Sequence, residues 1–311
     1  MRAIVMRQCG GPDVLQVKEV EDPAARAGHV RVRVSLAGVS TDDVYARTGA
    51  IQSTDLPYTP GHEVVGFTDE GRRVVSLTAG GGYAEKAAVP AGTCWDVPSD
   101  IGDLQALTIA RDGQAAWHAL FSAAQIARQE RIVVTAPGTT VGALAIQLAK
   151  AFDTTVIALA ATAEEGTQAQ EFGADRVVDG TAADLTDQVM TAAGGPVDAV
   201  VDLVGGLAIP SLLGAIAPRG RIALYGHVPP DAPSLSLQEL MSRSISVAAC
   251  QLPHMVSDHL GVAMSLRALW TTVRDGTLSI PSGRTYPLEA APEAHRDLET
   301  RPGPGRLALA P

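Results

Sequence analysis

The sequence has little cysteine, no run of basic residues and no long apolar stretch, and each shortage removes a class of protein. Its three cysteines in 311 residues are Cys9, Cys94 and Cys250. An odd number spread so widely excludes a disulfide framework and fits a reducing compartment. No Cys-x-x-Cys pair occurs, which excludes a structural zinc lobe. The formal net charge is −10 and lysine and arginine are nowhere clustered, so neither nucleic acid nor an anionic membrane surface is an expected partner. No apolar stretch approaches the roughly 20 residues that span a bilayer. The start, Met1-Arg-Ala-Ile-Val, lacks the apolar region of a signal peptide. The expectation is a soluble, cytoplasmic protein without a membrane partner.

What is present is apolar residue in quantity. At 46% hydrophobic, a chain of 311 residues can fill two cores of ordinary size. The stretch from Ile132 to Lys150 organises the rest. Ile132 to Thr135 form a short buried strand, Pro137-Gly138-Thr139-Thr140 a tight turn, and Val141, Leu144, Ala145 and Leu148 recur at helical spacing. Strand, turn and helix in that order make an anion site, because the free N–H groups and positive end of the helix face the strand's carboxyl end. The turn departs from Gly-x-Gly-x-x-Gly: Gly142 is present, but Thr139 and Thr140 fill the middle. A purely structural strand–helix unit reads the same way.

Downstream, strands are expected at Thr155–Ala160, Arg176–Val178, Val197–Asp202 and Arg221–Tyr225, with helices at Glu164–Phe172, Thr186–Ala193 and Leu207–Ile216. That alternation predicts a doubly wound parallel sheet with ligands at its carboxyl edge, near Ala136 to Thr140, Ala160 to Thr162, Asp202 to Gly206 and Tyr225 to Val228. The first hundred residues read as strands and turns of a mostly antiparallel β domain: Ala3–Met6, Leu15–Val20, Val30–Leu36, Gly61–Phe67, Arg73–Leu77 and Tyr83–Val89. A helix is expected over Gly261–Arg274. The fold class is therefore α/β, with the parallel sheet inserted into the β domain. Residues 1–115 plus 256–311 are expected in the outer domain and 116–255 in the inner one, with a cleft between them as the natural ligand site.

Several stretches together resemble one known family. They are Leu36-Ala-Gly-Val-Ser-Thr-Asp-Asp, Pro60-Gly-His-Glu-Val-Val-Gly, Gly82-Tyr-Ala-Glu, Val141-Gly-Ala-Leu-Ala-Ile-Gln-Leu-Ala-Lys, Gly173-Ala-Asp, Asp202-Leu-Val-Gly-Gly, Ala217-Pro-Arg-Gly-Arg, Ala294-His-Arg-Asp-Leu-Glu and Gly305-Arg-Leu-Ala-Leu. In order and spacing they resemble the medium-chain dehydrogenase/reductase superfamily over essentially the whole length, and within it the zinc-independent quinone-oxidoreductase and enoyl-reductase branch. The resemblance implies a Rossmann-type sheet inserted into a GroES-like domain. It also implies NADPH- or NADH-dependent reduction of a quinone or of a double bond conjugated to a carbonyl, and a homodimer, since family members are often dimers. By position, the cofactor falls to Gly138, Thr139, Thr140, Val141, Gly142, Ala161, Thr162, Leu203, Val204, Gly205, Gly226 and His227.

The departures from the family pattern bear on mechanism. Thr139 stands where relatives have glycine, and its Cβ would crowd a pyrophosphate. Glu165 stands where NADPH-using relatives have lysine, and a carboxylate there repels a 2′-phosphate; as a plain structural residue it would be a helix-start acid favoured by the dipole. Gly180 replaces a tyrosine. Zinc-dependent relatives carry cysteines at Ser40 and near Arg111 beside a pair matching His62 and Glu63, and without those thiolates no metal is expected. Arg111 and Asp112 bring two charges into a segment that is apolar in relatives. They must be solvated, matched to each other or to Glu63, or aimed at a ligand. A guanidinium at Arg111 can polarise a carbonyl. Tyr45 aligns with a tyrosine lining the active site of relatives, and Asp43 and Arg47 continue an Asn-x-x-Asp-x-x-x-Arg run whose asparagine is Ser40. Candidate catalytic residues are therefore Tyr45, Asp43, Arg111, Asp112 and His62, acting on a small-molecule substrate. A non-redox cyclase, isomerase or lyase on the same fold, with a degenerate nicotinamide site, is the alternative that Thr139, Glu165 and Gly180 suggest.

Overall fold

In a computed structural model of the chain, the residues described are 1–24, 26–50, 55–226, 233–300 and 303–311. The chain divides into two compact units, Met1–Arg111 with Ile280–Pro311, and Asp112–Ser279. The first junction falls between Arg111 and Asp112. The second lies later than the expected 255/256, because the helix His259–Arg274 packs its Val262, Leu266, Leu269 and Trp270 face into the inner unit.

The outer unit is built on the long strand His29–Val39. Its alternation of valine with arginine over Val30 to Val34 puts Val32 and Val34 into the core and Arg31 and Arg33 outward. Glu63–Thr68, Lys86–Pro90 and Leu307–Ala310 all pair with it antiparallel. Arg73–Leu77 and Cys94–Asp96 extend the sheet on one side, and Arg284–Pro287 joins Leu307–Ala310 in parallel on the other. Ile4, Leu15, Val64, Val74, Tyr83, Val89, Leu288 and Leu309 close the core, each aliphatic side chain contributing about 1.5 to 3 kcal/mol by its burial.

The inner unit carries, among the described residues, a six-stranded parallel sheet. Its spatial order is Arg176–Asp179, Thr155–Ala160, Arg131–Thr135, Val197–Asp202, Ile216–Leu224, Ser246–Ala249, which in chain order reads third, second, first, fourth, fifth, sixth. This is the Rossmann order, and it reverses direction between Arg131–Thr135 and Val197–Asp202. Thr155–Ala160 and Val197–Asp202 keep the bounds expected from sequence, since helices on both faces of the sheet demand continuous apolar runs.

The expected helix Leu207–Ile216 is corrected by the structure. Only Ile209–Leu212 is α-helical, Leu213–Ala215 is a 3₁₀ turn, and Ile216 already begins the fifth strand. Pro210 sits in the first turn, where a missing N–H is tolerated. Ile209, Leu212 and Ile216 are all buried, so the helical spacing of apolar residues was real but continued into a strand.

Candidate functional site

The helix Thr41–Thr48 starts at Ser40, and its first turn gathers a carboxylate cluster. Asp43 is wholly buried. Its Oδ2 accepts from the Ser40 backbone N–H at 2.9 Å and from the Ser40 hydroxyl at 2.8 Å, a capping box closed by the third helical residue. Its Oδ1 accepts from the Gly61 N–H at 2.8 Å and from His62 Nδ1 at 2.7 Å. Burial alone would raise the Asp43 carboxyl, but the His62 charge and hydrogen bond, with Ser40 in support, hold it well below the usual carboxylate range. For His62 burial works downward, and Asp43 overcomes it to raise the imidazole pKa. Tyr58 donates its hydroxyl to the Ala79 carbonyl at 3.0 Å and lies 3.4 Å from His62 Nε2. Burial, followed by the nearby Asp43 and Asp42 charges, pushes its pKa up to about 12.

Beside this lies an ion-pair chain. Arg111 Nη2 donates to Asp42 Oδ2 at 2.6 Å, and Nη1 lies 3.4 Å from Glu63 Oε2. Glu63 is wholly buried, and its other oxygen pairs with Arg306. Burial lowers the Arg306 pKa to about 10, against the pull of Asp43 and Asp42. The glycine at Gly38 makes room for the Glu63 carboxylate, because a Cβ there would run into it. Three carboxylates, Asp42, Asp43 and Glu63, thus face two guanidinium groups and His62. Such a set is tolerable away from water only when each charge is matched.

The structure therefore brings Asp43, His62 and Arg111 together, with Asp42 and Glu63 as the connectors. Tyr45 stands on the same helix, half-buried, with its phenol raised by burial and then by Asp42. Asp112 is buried in the π-helical stretch Ile109–Gly113 and is the first residue of the inner unit. The residues missed from sequence are Asp42, Tyr58 and Arg306. Arg306 lies inside the Gly305-Arg-Leu-Ala-Leu stretch, and a lone arginine directly before the apolar terminal strand Leu307–Ala310 was the available signal.

In the inner unit the turn after Arg131–Thr135 has the expected form. Ala136 adopts φ of 47°, a left-handed conformation that a non-glycine residue takes only where its surroundings impose it. Thr139 is the N-cap of the helix Thr140–Ala151: its Oγ1 accepts from the Gly142 N–H at 3.1 Å and donates to the Ala136 carbonyl at 2.9 Å. Gly142 is required, since a Cβ there would collide with the Ala136 carbonyl. At Gly138 an added Cβ would come within 2.6 Å of Glu165 Cγ. Glu165 accepts the Ala161 N–H at 2.8 Å and donates its own N–H to Thr162 Oγ1 at 3.2 Å. A depression of about 390 Å³ opens there, with Ala161, Thr162, Gly166 and Asp179 among its walls.

At the neighbouring strand end Asp202 Oδ2 accepts from the Gly205 and Gly206 N–H groups at 3.0 and 2.5 Å, shaping the turn that carries Leu203 and Val204. Gly205 and Gly226 have φ of 98° and 117°, which side-chain-bearing residues rarely adopt. Gly138, Thr139, Thr140, Val141, Gly142, Ala161, Thr162, Leu203, Val204, Gly205 and Gly226 thus all fall at the carboxyl edge of one sheet. His227 lies outside the described residues. A helix N-terminus, an obligatory glycine at a close backbone approach and a capped turn fit a dinucleotide's phosphates.

Comparison with known proteins agrees over the full length. Residues 26–99 match the family described as alcohol dehydrogenase GroES-like domain, and residues 140–266 the family described as zinc-binding dehydrogenase. Quinone oxidoreductase of Rattus norvegicus is 27% identical over 96% of this chain and 94% of its own. A 2-haloacrylate reductase from a Burkholderia species is 26% identical over 99% and 98%. The crystal structure of Escherichia coli quinone oxidoreductase complexed with NADPH superposes with a TM-score of 0.91 at 25% identity, covering all of both chains.

Proposed function

The chain belongs to the medium-chain dehydrogenase/reductase superfamily, quinone oxidoreductase-like, and from that premise we propose that it is an NAD(P)H-dependent reductase of an enone- or quinone-like small molecule. The observation that carries this is the turn Ala136–Gly142 at the reversal point of a Rossmann-ordered sheet, where a helix N-terminus and Gly142 can receive phosphates. A nicotinamide bound there supplies a hydride. The chain's own residues do the rest. The N–H groups of Thr140 and Val141 would hold phosphate, Leu203 to Gly205 and Gly226 would border the cofactor, and Arg111 and the Tyr45 phenol would polarise the substrate's carbonyl oxygen as negative charge develops on it. Tyr45 would donate its phenolic proton to the enolate that hydride addition leaves. Asp112 shapes the Arg111 segment.

Thr139 caps its helix and the Glu165 carboxylate accepts the Ala161 N–H ahead of the next one, which accounts for both without any loss of the cofactor, so the non-redox alternative has no observation in its favour. The Glu165 carboxylate beside Ala161 and Gly138 favours NADH, whose ribose carries no phosphate at that end. Zinc-independence is supported by the Arg111 guanidinium, which pairs with Glu63 while the Ser40 hydroxyl is turned to Asp43; metal analysis finding about one zinc per chain would overturn it. Cytoplasmic location is supported by the three unpaired cysteines. Among the described residues no helix is long and apolar enough to cross a membrane.

A second copy of the chain is the expected partner. Leu237 and Met241 are 75% and 81% exposed on one helix, Leu260 and Met264 are 73% and 65% exposed on another, and Ser246–Ala249 is the last strand of its sheet. The test of the activity is titration with NADH and NADPH followed by nicotinamide fluorescence, then turnover with 1,4-benzoquinone and with a simple enone. Binding of either nucleotide with turnover of at least one acceptor is expected. No binding of either would sink the reading.

A further inference from the structure

Arg131–Thr135 and Val197–Asp202 lie side by side where the sheet reverses its order, and each ends on a polar residue that is almost entirely enclosed. Thr135 Oγ1 donates to Asp202 Oδ1 at 3.1 Å and accepts from the Leu203 N–H at 2.8 Å. The remaining carboxylate oxygen holds Gly205 and Gly206, and the Asp202 carbonyl accepts from the Tyr225 N–H at 2.8 Å. One residue therefore joins three adjacent strand ends. Leu203 in turn lies so close to Gly226 that a Cβ there would come within 3.1 Å of the Leu203 carbonyl.

We propose that Thr135 and Asp202 are a positioning pair that holds the Leu203–Gly206 loop in its cofactor-receiving conformation and couples it to the phosphate turn. The inference rests on the reading of this sheet edge as the nicotinamide nucleotide site.

Two features separate this from ordinary packing. The loop's path is particular: Gly205 and Gly206 sit at φ of 98° and 94°, open to glycine but rarely to residues with side chains. The loop also gains little by burial, since Val204 and Leu207 remain 42% and 50% exposed while the pair beneath them is enclosed. A buried carboxylate is costly to desolvate, and burial raises the Asp202 pKa against the pull of Gly206, Thr135, Gly205 and Val204. That cost is spent on shaping a turn beside which Val204 and Leu207 stay exposed. Thr135 ties the arrangement to the phosphate turn, which begins at the next residue, Ala136.

The test compares wild type, Thr135→Val, Thr135→Ser and Asp202→Asn. Affinities for NADH and NADPH are read by nicotinamide fluorescence, and hydrogen exchange is read at the amides of 203–206. Thr135→Val keeps the volume and removes both bonds, so cofactor affinity should fall by about tenfold or more. The amides of 203–206 should exchange faster, and KM for the cofactor should rise while turnover at saturating cofactor stays within a few fold. Thr135→Ser keeps the hydroxyl and should restore affinity to within about threefold. If Thr135→Val does not fold, Asp202→Asn decides by the same ratio. Wild-type affinity in a folded Thr135→Val or Asp202→Asn overturns the pair even when exchange is faster, because the bonds would then serve the loop alone. A wild-type protein that binds neither nucleotide overturns the reductase reading itself, an outcome distinct from any difference between variants.

Discussion

At Arg111 one side chain meets two carboxylates, and its replacement separates chemistry from architecture. In Arg111→Leu the buried Glu63 keeps Arg306 and the partly exposed Asp42 keeps water, so the stability loss should fall short of the about 3 to 5 kcal/mol seen when a buried pair is broken outright. If the guanidinium also stabilises a developing oxyanion, turnover per folded molecule should drop by about a hundredfold or more. Turnover and melting temperature of Arg111→Leu and Asp42→Asn decide this, and turnover within a few fold of wild type would leave Arg111 a structural residue only. His62 gives a second test. Asp43 is depressed, so its contribution is present above the ordinary carboxyl value of 3.8 and is lost as pH falls through its folded pKa. His62 is raised, so its contribution is complete below 6.5 and is lost as pH rises through its folded pKa. The pair therefore stabilises most between those values. The melting-temperature gap between wild type and His62→Gln should narrow as pH is raised from about 6 to about 9, and a constant gap would refute the linkage.

Among the elements, the helix Thr140–Ala151 shows a residue serving two ends. Thr139→Ala removes the cap on Gly142 and should cost about 1 kcal/mol, whereas Thr139→Gly should cost only a few tenths. In a chain of this size the alanine variant should melt about 2 to 4 °C lower. Equal melting of the two variants would show that the cap is not made in solution. The same region explains what could be read in advance. Thr155–Ala160 and Val197–Asp202 were plain from sequence because strands covered on both faces are uninterrupted apolar runs. Ser246–Ala249 was not, being four small or short residues with little pattern, and Leu207–Ile216 misled because strand and helix shared one apolar series. At the site, the capping box of Ser40 and Asp43 and the closeness of Asp43 to His62 involve residues singled out from sequence. That Arg111 would choose Asp42, 69 positions away, is set by how the chain closes on itself, and no local pattern encodes it.

For the molecule as a whole, the exposed apolar helices of the inner unit predict self-association. Light scattering coupled to size exclusion should give a dimer for wild type. Met241→Lys combined with Leu260→Glu should shift the mass to one chain without unfolding it, since both side chains are largely exposed. An unchanged dimer would place the interface elsewhere. The outer unit carries a different consequence, one for how this sequence can drift. A side chain at Gly38 would evict the Glu63 carboxylate; without Glu63, Arg306 and Arg111 each lose an ion-pair partner. Single substitutions at these positions should be individually harmful and jointly tolerable, so the four are expected to be inherited as a block. A lineage that reached this arrangement can leave it only by several changes made nearly at once.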